Sequence, residues 1–305
     1  MSRGKRHDQL MSLARSLGFE VEATPDERTL ADAIDRVVTA APRRVIVCGG
    51  DGTVQALITA LAAVDKDQRP ELLILGGGRT NYTAQDLGTH QHPERLMRLA
   101  ADPHFEWAQS RRHSLIVRQH GQPDRHGFFI AAGLIDDVIR DCHRYRQRHH
   151  DARPHWLYTG HASSFWRVSQ LGLLRLLGRC SFAHHPMQID AAGLGALAGD
   201  LKLVLLTTLA HRHQLVNPYA ERGRGALRLT ATRQDASAFW RRLPRLLRGR
   251  YHSRMSPAQG YLSGRCDRAR ISGLERICLD GQEHDYRKDL EVDVLAGPAF
   301  RFLHP

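Results

Sequence analysis

Apolar positions along this chain follow two regimes. Over the first hundred residues, helical spacing alternates with short continuous runs. Leu10, Leu13, Ala14 and Leu17 recur at helical spacing, and Gly18 stops the run. Phe19 and Val21 alternate with polar residues, so the stretch EVEAT reads as a short strand leading into Pro25. A second helix carries Leu30, Ala33, Ile34, Val37 and Val38 on one face and ends before Pro42. Residues 45–48 form a continuous apolar run, the mark of a strand buried on both faces. A helix over 54–64 follows, then a second apolar run at 72–75. Strands alternating with helices through short connections predict a parallel α/β sheet.

From about residue 111 the rhythm changes. Residues 115–118, 127–132, 201–209 and 226–232 read as strands without helical crossovers, broken by turn clusters such as HGQPDRHG and ERGRG. Two helical stretches remain, a Trp- and Leu-rich one over about 156–177 and another over 236–247. Strand-like pieces return over 271–302, around LDGQEHD. The second part is therefore expected to be β-rich. No internal repeat or low-complexity tract appears.

Composition narrows the choice. Of 305 residues, 42% are hydrophobic and 25% charged, a globular balance that excludes a disordered, collagen-like or disulfide-scaffold chain. Lys and Arg number 44 against 32 Asp and Glu, a formal net charge of +12, which suits partners that carry phosphate. The five cysteines (Cys48, Cys142, Cys180, Cys266 and Cys278) are odd in number and none stands at CxxC spacing. A reducing cytoplasm is expected, not a disulfide framework or a cysteine zinc site. Among 19 histidines, His149-His150 and His184-His185 lie among arginines and turn residues, and no HExxH occurs, so metal ligands stay unassigned. Neither the opening MSRGKRHDQLMSLARSLG nor the stretch 201–210 has the apolar length of a signal peptide or a membrane span.

The candidate chemistry concentrates at Gly49-Gly50-Asp51-Gly52-Thr53, where an apolar strand turns into a helix. Glycines there allow close backbone approach and positive φ, and the helix start offers unpaired N–H groups that favour phosphate. An acid in such a turn fits a Mg²⁺ with its waters or a sugar or substrate hydroxyl. A second glycine-rich strand end, Gly76-Gly77-Gly78, can face the first across one crevice at the carboxyl ends of the strands.

VIVCGGDGTVQALI followed by LLILGGGRTNYTAQDLG resembles the diacylglycerol kinase catalytic-domain family, which includes soluble bacterial lipid kinases and is related to sphingosine and ceramide kinases. EVEATPDERTLADAI, GFFIAAGLIDDVI, LPRLLRGRYH and ERICLDGQ resemble further family segments more loosely. The resemblance implies a two-lobed enzyme. Residues 1–110 would form an α/β nucleotide-binding domain and 111–289 a β-sandwich domain for the lipid, with a strand at about 290–305 returning to the first lobe. ATP and Mg²⁺ would occupy the cleft, and the γ-phosphoryl group would pass to a lipid hydroxyl of a diacylglycerol- or sphingoid-like substrate. By position the nucleotide-binding residues would be Thr24, Gly49, Gly50, Asp51, Gly52, Thr53, Val54 and Gln55, with Gly78, Arg79, Thr80 and Asn81 in the second loop. Asp280 matches the general base, and Asp51 is grouped with it in catalysis.

The chain departs from the family pattern at four places. MSRGKR carries no Asn-Pro-x-Ser-Gly loop, and only Ser2, Arg3 and Gly4 echo its end. Gly-Thr-x-Asn-Asp becomes Gly78-Arg79-Thr80-Asn81-Tyr82. A metal-site segment Asp-Gly-x-Leu reads Arg224-Gly225-Ala226-Leu227, and an arginine cannot ligate a cation. Asp-Gly-Glu reads Asp280-Gly281-Gln282, with Glu283 and Asp285 as the acids nearest to compensate. These departures keep a catalytically degenerate nucleotide- or lipid-binding regulator as the alternative, with a soluble-metabolite kinase such as an NAD kinase behind it.

A lipid substrate implies a cytoplasmic protein that docks on an anionic membrane surface. Phe239, Trp240, Leu243, Leu246 and Leu247 with Arg241, Arg242, Arg245, Arg248 and Arg250 fit a basic interfacial helix, although Pro244 argues against an unbroken one. The competing reading packs those apolar positions on the β-rich part. Trp156, Tyr158, Phe165 and Trp166 fit either a lipid pocket or a core. The basic charge is dispersed and no nucleic-acid module is recognisable, so no nucleic-acid partner is expected. A homodimer is compatible with the resemblance but not required by it.

Overall fold

The computed structural model describes residues 3–78, 81–133, 137, 140, 184–210 and 216–305. The Trp- and Leu-rich stretch at about 156–177, including Trp156, Tyr158, Phe165 and Trp166, lies outside the described residues, as do Ser2, Arg79, Thr80, Cys142 and Cys180.

Helices α1 (Arg3–Ser16) and α2 (Glu27–Ala40) precede the first strand. The start of α2 is set by Asp26, whose carboxylate accepts the Thr29 N–H at 2.8 Å in a capping box. Strands β1 (Arg44–Gly49) and β2 (Glu71–Gly76) then pair in parallel from Arg44–Glu71 to Gly49–Gly76, joined through α3 (Asp51–Ala62). Short α4 (Tyr82–Asp86) and α5 (Pro93–Ala101) follow β2.

The rest is mostly antiparallel: β3 (Ala108–Gln119), β4 (Arg125–Gly127), β5 (Phe129–Ala132), β6 (Pro186–Ala191), β7 (Gly195–Thr207), β8 (Leu227–Arg233), α6 (Phe239–Leu246), β9 (Tyr261–Cys266), β10 (Arg268–Ser272), β11 (Arg276–Leu279), β12 (Gln282–Asp285) and β13 (Val292–His304). The strands link in the order β1-β2-β13-β10-β6-β7-β5-β11-β12. Strand β7 makes the turn between layers: its first residues pair with β6 and its last with β5. Strand β13 runs antiparallel to β3, and its Arg301 and Phe302 pair in parallel with Glu71 and Leu72 of β2. The architecture is thus an α/β layer merging into a β-rich part, the fold class read from the sequence.

Side-chain alternation along β2 divides the core. Leu72 and Ile74 point into the cluster with α2, α3 and Phe302, whereas Leu73 and Leu75 meet Leu10, Met97 and Leu303 on the α1–α5 side. Each such side chain, fully buried, contributes roughly 1.5–3 kcal/mol. A third cluster, around Leu115, Ile130, Leu206, Leu229 and Ile277, fills the β-rich part.

Two local expectations are corrected and one is qualified. Strand β1 packs on both faces, Val45 and Val47 against the α2–α3 cluster and Ile46 and Cys48 against the α1–α5 cluster. As the edge of the sheet it is nevertheless less buried than β2, whose Leu72, Leu73, Ile74 and Leu75 are fully enclosed. EVEAT forms no strand: residues 19–24 run as irregular chain on the lining of a cavity of about 420 Å³ whose other wall is β1, and that gap keeps the two from pairing. Helix α3 begins at Asp51, not Val54, so the glycine loop is itself the helix start. In the segment 236–247, α6 occupies Phe239–Leu246 with Pro244 inside it. A proline six residues into so short a helix removes one ladder donor, that to the Trp240 carbonyl, and the helix persists because its inner face is anchored in the core.

Candidate active site

Three loops meet at the carboxyl ends of β1 and β2. Gly50 caps α3 with extended backbone, and Asp51 opens the helix. The second glycine loop lies directly on the first, with the Gly77 N–H donating to the Gly49 carbonyl at 2.9 Å. A Cβ on Gly78 would stand 2.4 Å from the Gly50 Cα, and one on Gly77 would stand 3.1 Å from the Gly49 nitrogen. None of the glycines 49, 50, 52 and 76–78 has positive φ. Their use here is close approach of two backbones, which a side chain would prevent, and not a left-handed conformation.

Asn81 braces the second loop. Its Oδ1 accepts the Gly78 N–H at 2.7 Å and its Nδ2 donates to the Gly78 carbonyl at 3.1 Å, while its own backbone is left-handed. Asp51 joins α4 to the same assembly, accepting the N–H groups of Tyr82 at 3.0 Å and Thr83 at 3.1 Å. Burial raises the Asp51 carboxyl above its ordinary value, opposed by those N–H bonds. The acid in the turn therefore caps a neighbouring helix within the protein.

The third loop comes from far along the chain. Leu279 and Gln282 close a two-residue hairpin between β11 and β12, with Asp280 at φ 49 and Gly281 at φ 87, the geometry that Asp-Gly adopts in a type I′ turn. Asp280 is buried. Its Oδ2 accepts the Phe128 N–H at 2.9 Å and its Oδ1 the Phe129 N–H at 2.8 Å, while its own N–H donates to the Phe129 carbonyl at 2.9 Å. Burial first, and then the charge of Asp51, push its carboxyl up to about 8, against the pull of the two N–H donors. Gln282 follows across the glycine loop, close enough that a Cβ on Gly52 would stand 2.9 Å from its Nε2.

Of the residues expected at the nucleotide, Gly49, Gly50, Asp51, Gly52, Gly78 and Asn81 form one assembly with Asp280. Thr53 adjoins it, a Cβ on Gly49 standing 2.9 Å from the Thr53 Cβ, and Thr24 and Thr53 both line the 420 Å³ cavity along the open edge of β1. Val54 faces the apolar core and Gln55 is buried. Arg79 and Thr80 lie outside the described residues.

Glu283 and Asp285 do not replace the missing acid at Gln282. Strand alternation puts them on the other face of β12, where Arg140 donates to Glu283 at 2.9 Å and stands 3.7 Å from Asp285. Around Arg224, the neighbouring Glu221 lies 3.1 Å from Arg228 and 3.2 Å from Arg265, an arrangement of cations that suits no metal ion. Among the described residues no group of three His, Cys, Asp or Glu side chains is placed to hold a metal. Both oxygens of Asp51 and both of Asp280 already accept backbone N–H groups, so the described acids make no preformed cage for Mg²⁺.

Two features escaped sequence reading. Asp86, fully buried on α4, accepts from the Arg112 guanidinium at 2.8 Å, tying the helix that Asp51 caps to β3. The Tyr82 and Phe129 rings meet at 4.8 Å, linking the two backbone segments that hold Asp51 and Asp280. An acid in a helix of otherwise core-facing residues was the available signal for Asp86; nothing local marks its partner.

Residues 3–109 match the model of the diacylglycerol kinase catalytic domain. The resemblance read from the two glycine loops is shown over that segment. Three solved structures share the fold, all described as diacylglycerol kinases of Bacillus anthracis strain Sterne, two of them provisionally. One aligns with a TM-score of 0.60 at 13% identity, over 98% of this chain and 91% of its own. Another gives 0.61 at 15% identity, over 97% and 90%. The third gives 0.60 at 15%, over 92% and 84%. No curated protein matches the chain.

Proposed function

We propose that the protein transfers the γ-phosphoryl group of ATP to a hydroxyl of a diacylglycerol- or sphingoid-like lipid. The observation that carries this reading is Asp280: a buried carboxyl, raised to about 8, on a tight turn against the glycine loop at the start of α3. A lipid alcohol is a weak nucleophile, and a carboxylate whose affinity for protons lies near working pH is suited to taking its proton as the bond to phosphorus forms. In that step the lipid oxygen bonds to the γ-phosphorus, its proton passes to an Asp280 oxygen, and the bond from phosphorus to the β,γ-bridging oxygen breaks to release ADP. The Phe128 and Phe129 N–H groups hold the carboxylate in place throughout. The glycine loops and the first turn of α3 supply backbone N–H groups for phosphate, and Thr24 and Thr53 flank a cavity with room for a nucleoside. Mg²⁺, when bound with the nucleotide, neutralises charge on the phosphates.

The test is incubation with labelled ATP, Mg²⁺ and neutral mixed micelles of candidate lipids, with Asp280→Asn in parallel. Labelled lipid from the wild type and none from the variant, nucleotide binding being kept in both, is the expected result. Equal activity of the two would remove the general-base role. One observation favours a second reading: Glu283 and Asp285 are turned to Arg140, so neither supplies the acid that Gln282 lacks. A wild-type chain that binds nucleotide yet labels no lipid and no NAD is then a nucleotide-binding regulator.

A further inference from the structure

Among the described residues three large apolar side chains are exposed, Val216 at 44%, Trp240 at 74% and Leu247 at 38%, and all three lie at one place. Helix α6 is anchored by Leu246, Phe239 and the buried Arg242, whose guanidinium donates to the carbonyls of Ser237 at 2.8 Å and Arg254 at 2.9 Å. Its outer face carries Trp240 and Pro244 beside Arg241 and Arg245, and the following turn adds Leu247 and Arg248. The Asn217 N–H donates to the Leu247 carbonyl at 3.0 Å, which brings Val216 alongside. The indole is held outward by edge contact with Phe239 at 5.3 Å and by Lys202, 5.7 Å from its ring.

The charge of this face is of one sign. Residues 236–254 include six arginines and no acid. Arg242 is committed to backbone carbonyls, but Arg241, Arg245, Arg248 and Arg250 are exposed and in no ion pair among the described residues. Desolvation and then Arg242, Arg245 and Arg254 hold the His252 imidazole below its ordinary value, as a positive field requires. We infer that this face, centred on Trp240, Leu247, Arg241, Arg245 and Arg248, docks on an anionic phospholipid bilayer.

Indole and leucine side chains flanked by guanidinium groups match the headgroup boundary, where rings sit at the interface and arginines pair with phosphodiesters. A second copy would bring the same cations face to face, and bare nucleic acid would leave the two aliphatic side chains unused. The inference deepens the lipid-kinase reading by naming where the lipid surface is met, and rests on that reading only for its consequence in turnover.

The experiment is co-sedimentation of the full chain with phosphatidylcholine vesicles, with and without phosphatidylglycerol, for wild type, Trp240→Ser, and the triple variant Arg241→Gln, Arg245→Gln, Arg248→Gln. All the substituted side chains are exposed, and an unchanged Tm confirms folding. Each arginine near an anionic leaflet is worth about fivefold in binding, so the triple variant is expected to bind phosphatidylglycerol vesicles on the order of a hundredfold more weakly. Trp240→Ser is expected to lose about tenfold, and added salt to weaken the wild type. Equal binding by the triple variant and the wild type overturns the inference. So does a wild type that ignores the vesicles but shifts duplex DNA through the same arginines. Kinase failure is read separately. A chain that binds vesicles but labels no lipid, even in neutral micelles, keeps the docking face and loses the kinase, whereas a triple variant active in neutral micelles but not on anionic vesicles supports both.

Discussion

Gln282 lies so close over Gly52 that a Cβ on the glycine would stand 2.9 Å from its side-chain nitrogen. The first residue after the Asp280-Gly281 turn thus closes on the start of α3, and the two halves of the candidate site touch through a glutamine amide. Gly52 is helical, so alanine there suits the backbone and gains about 0.5–1 kcal/mol of helix propensity. Gly52→Ala is therefore expected to keep or raise Tm while pushing Gln282 off the loop and lowering lipid phosphorylation. The loss should be smaller when Gly52→Ala is made in a Gln282→Ala background. Equal losses in both backgrounds would show that the contact is not what matters.

Gly78 behaves differently because its neighbour cannot move. A Cβ there meets the Gly50 backbone at 2.4 Å, and both loops are fixed by the Gly77–Gly49 hydrogen bond and the Asn81 brace. Gly78→Ala is expected to destabilise by about 1–3 kcal/mol, the usual range for overpacking, and to weaken nucleotide binding. Thermal unfolding with and without ATP checks both.

Asp280 makes stability and activity depend on pH in opposite directions. Its ordinary value is 3.8 and its value in the fold is about 8, so between them the folded state holds a proton that the unfolded state has released. Stability from this group is complete below about 4, falls as pH rises, and levels off above about 8, a change of several kcal/mol at most. Asp280→Asn should flatten that slope in denaturant unfolding at a series of pH values. In the wild type kcat/KM should rise with pH toward about 8 as the base ionises.

Asp51 is the second cause of that upward shift, after burial. Asp51→Asn removes the charge but keeps one acceptor for the Tyr82 or Thr83 N–H. The inflection in kcat/KM is expected to move to lower pH, with about 1 kcal/mol of stability lost from the forfeited hydrogen bond. An unmoved inflection would separate the two acids electrostatically.

Arg112→Leu leaves the Asp86 carboxylate buried without its guanidinium, a change that typically costs about 3–5 kcal/mol. Replacing both, Arg112→Leu with Asp86→Leu, should recover most of that loss. A double-mutant cycle on Tm reads the coupling.

Much of this was written in short stretches of chain. The helix α2 cap, the parallel pair β1–β2 with glycines at both strand ends, and the hairpin at Asp280-Gly281 depend on neighbours within a few residues, and periodicity and turn chemistry express such neighbours directly. The arginine-rich helix was legible too, but not which of its apolar residues face outward.

Other features needed the folded chain. Whether 45–48 or 72–75 is the interior strand depended on β13 pairing with β2, a contact made from the far end of the sequence. EVEAT alternates as a strand does, yet a strand needs a partner, and a cavity separates it from β1. Asp51 carried the mark of a site acid, but that it also holds the backbone of α4 came only from the fold. Asp280 takes its hydrogen bonds from Phe128 and Phe129, and its raised value from burial and from Asp51. The sequence by itself determined the local elements and the residue types at the loops. Which loops meet, and hence which groups lose water and feel one another's charge, was decided by strand pairing between segments remote in the chain, because hydration and Coulomb energy depend on distance in space and not along the sequence.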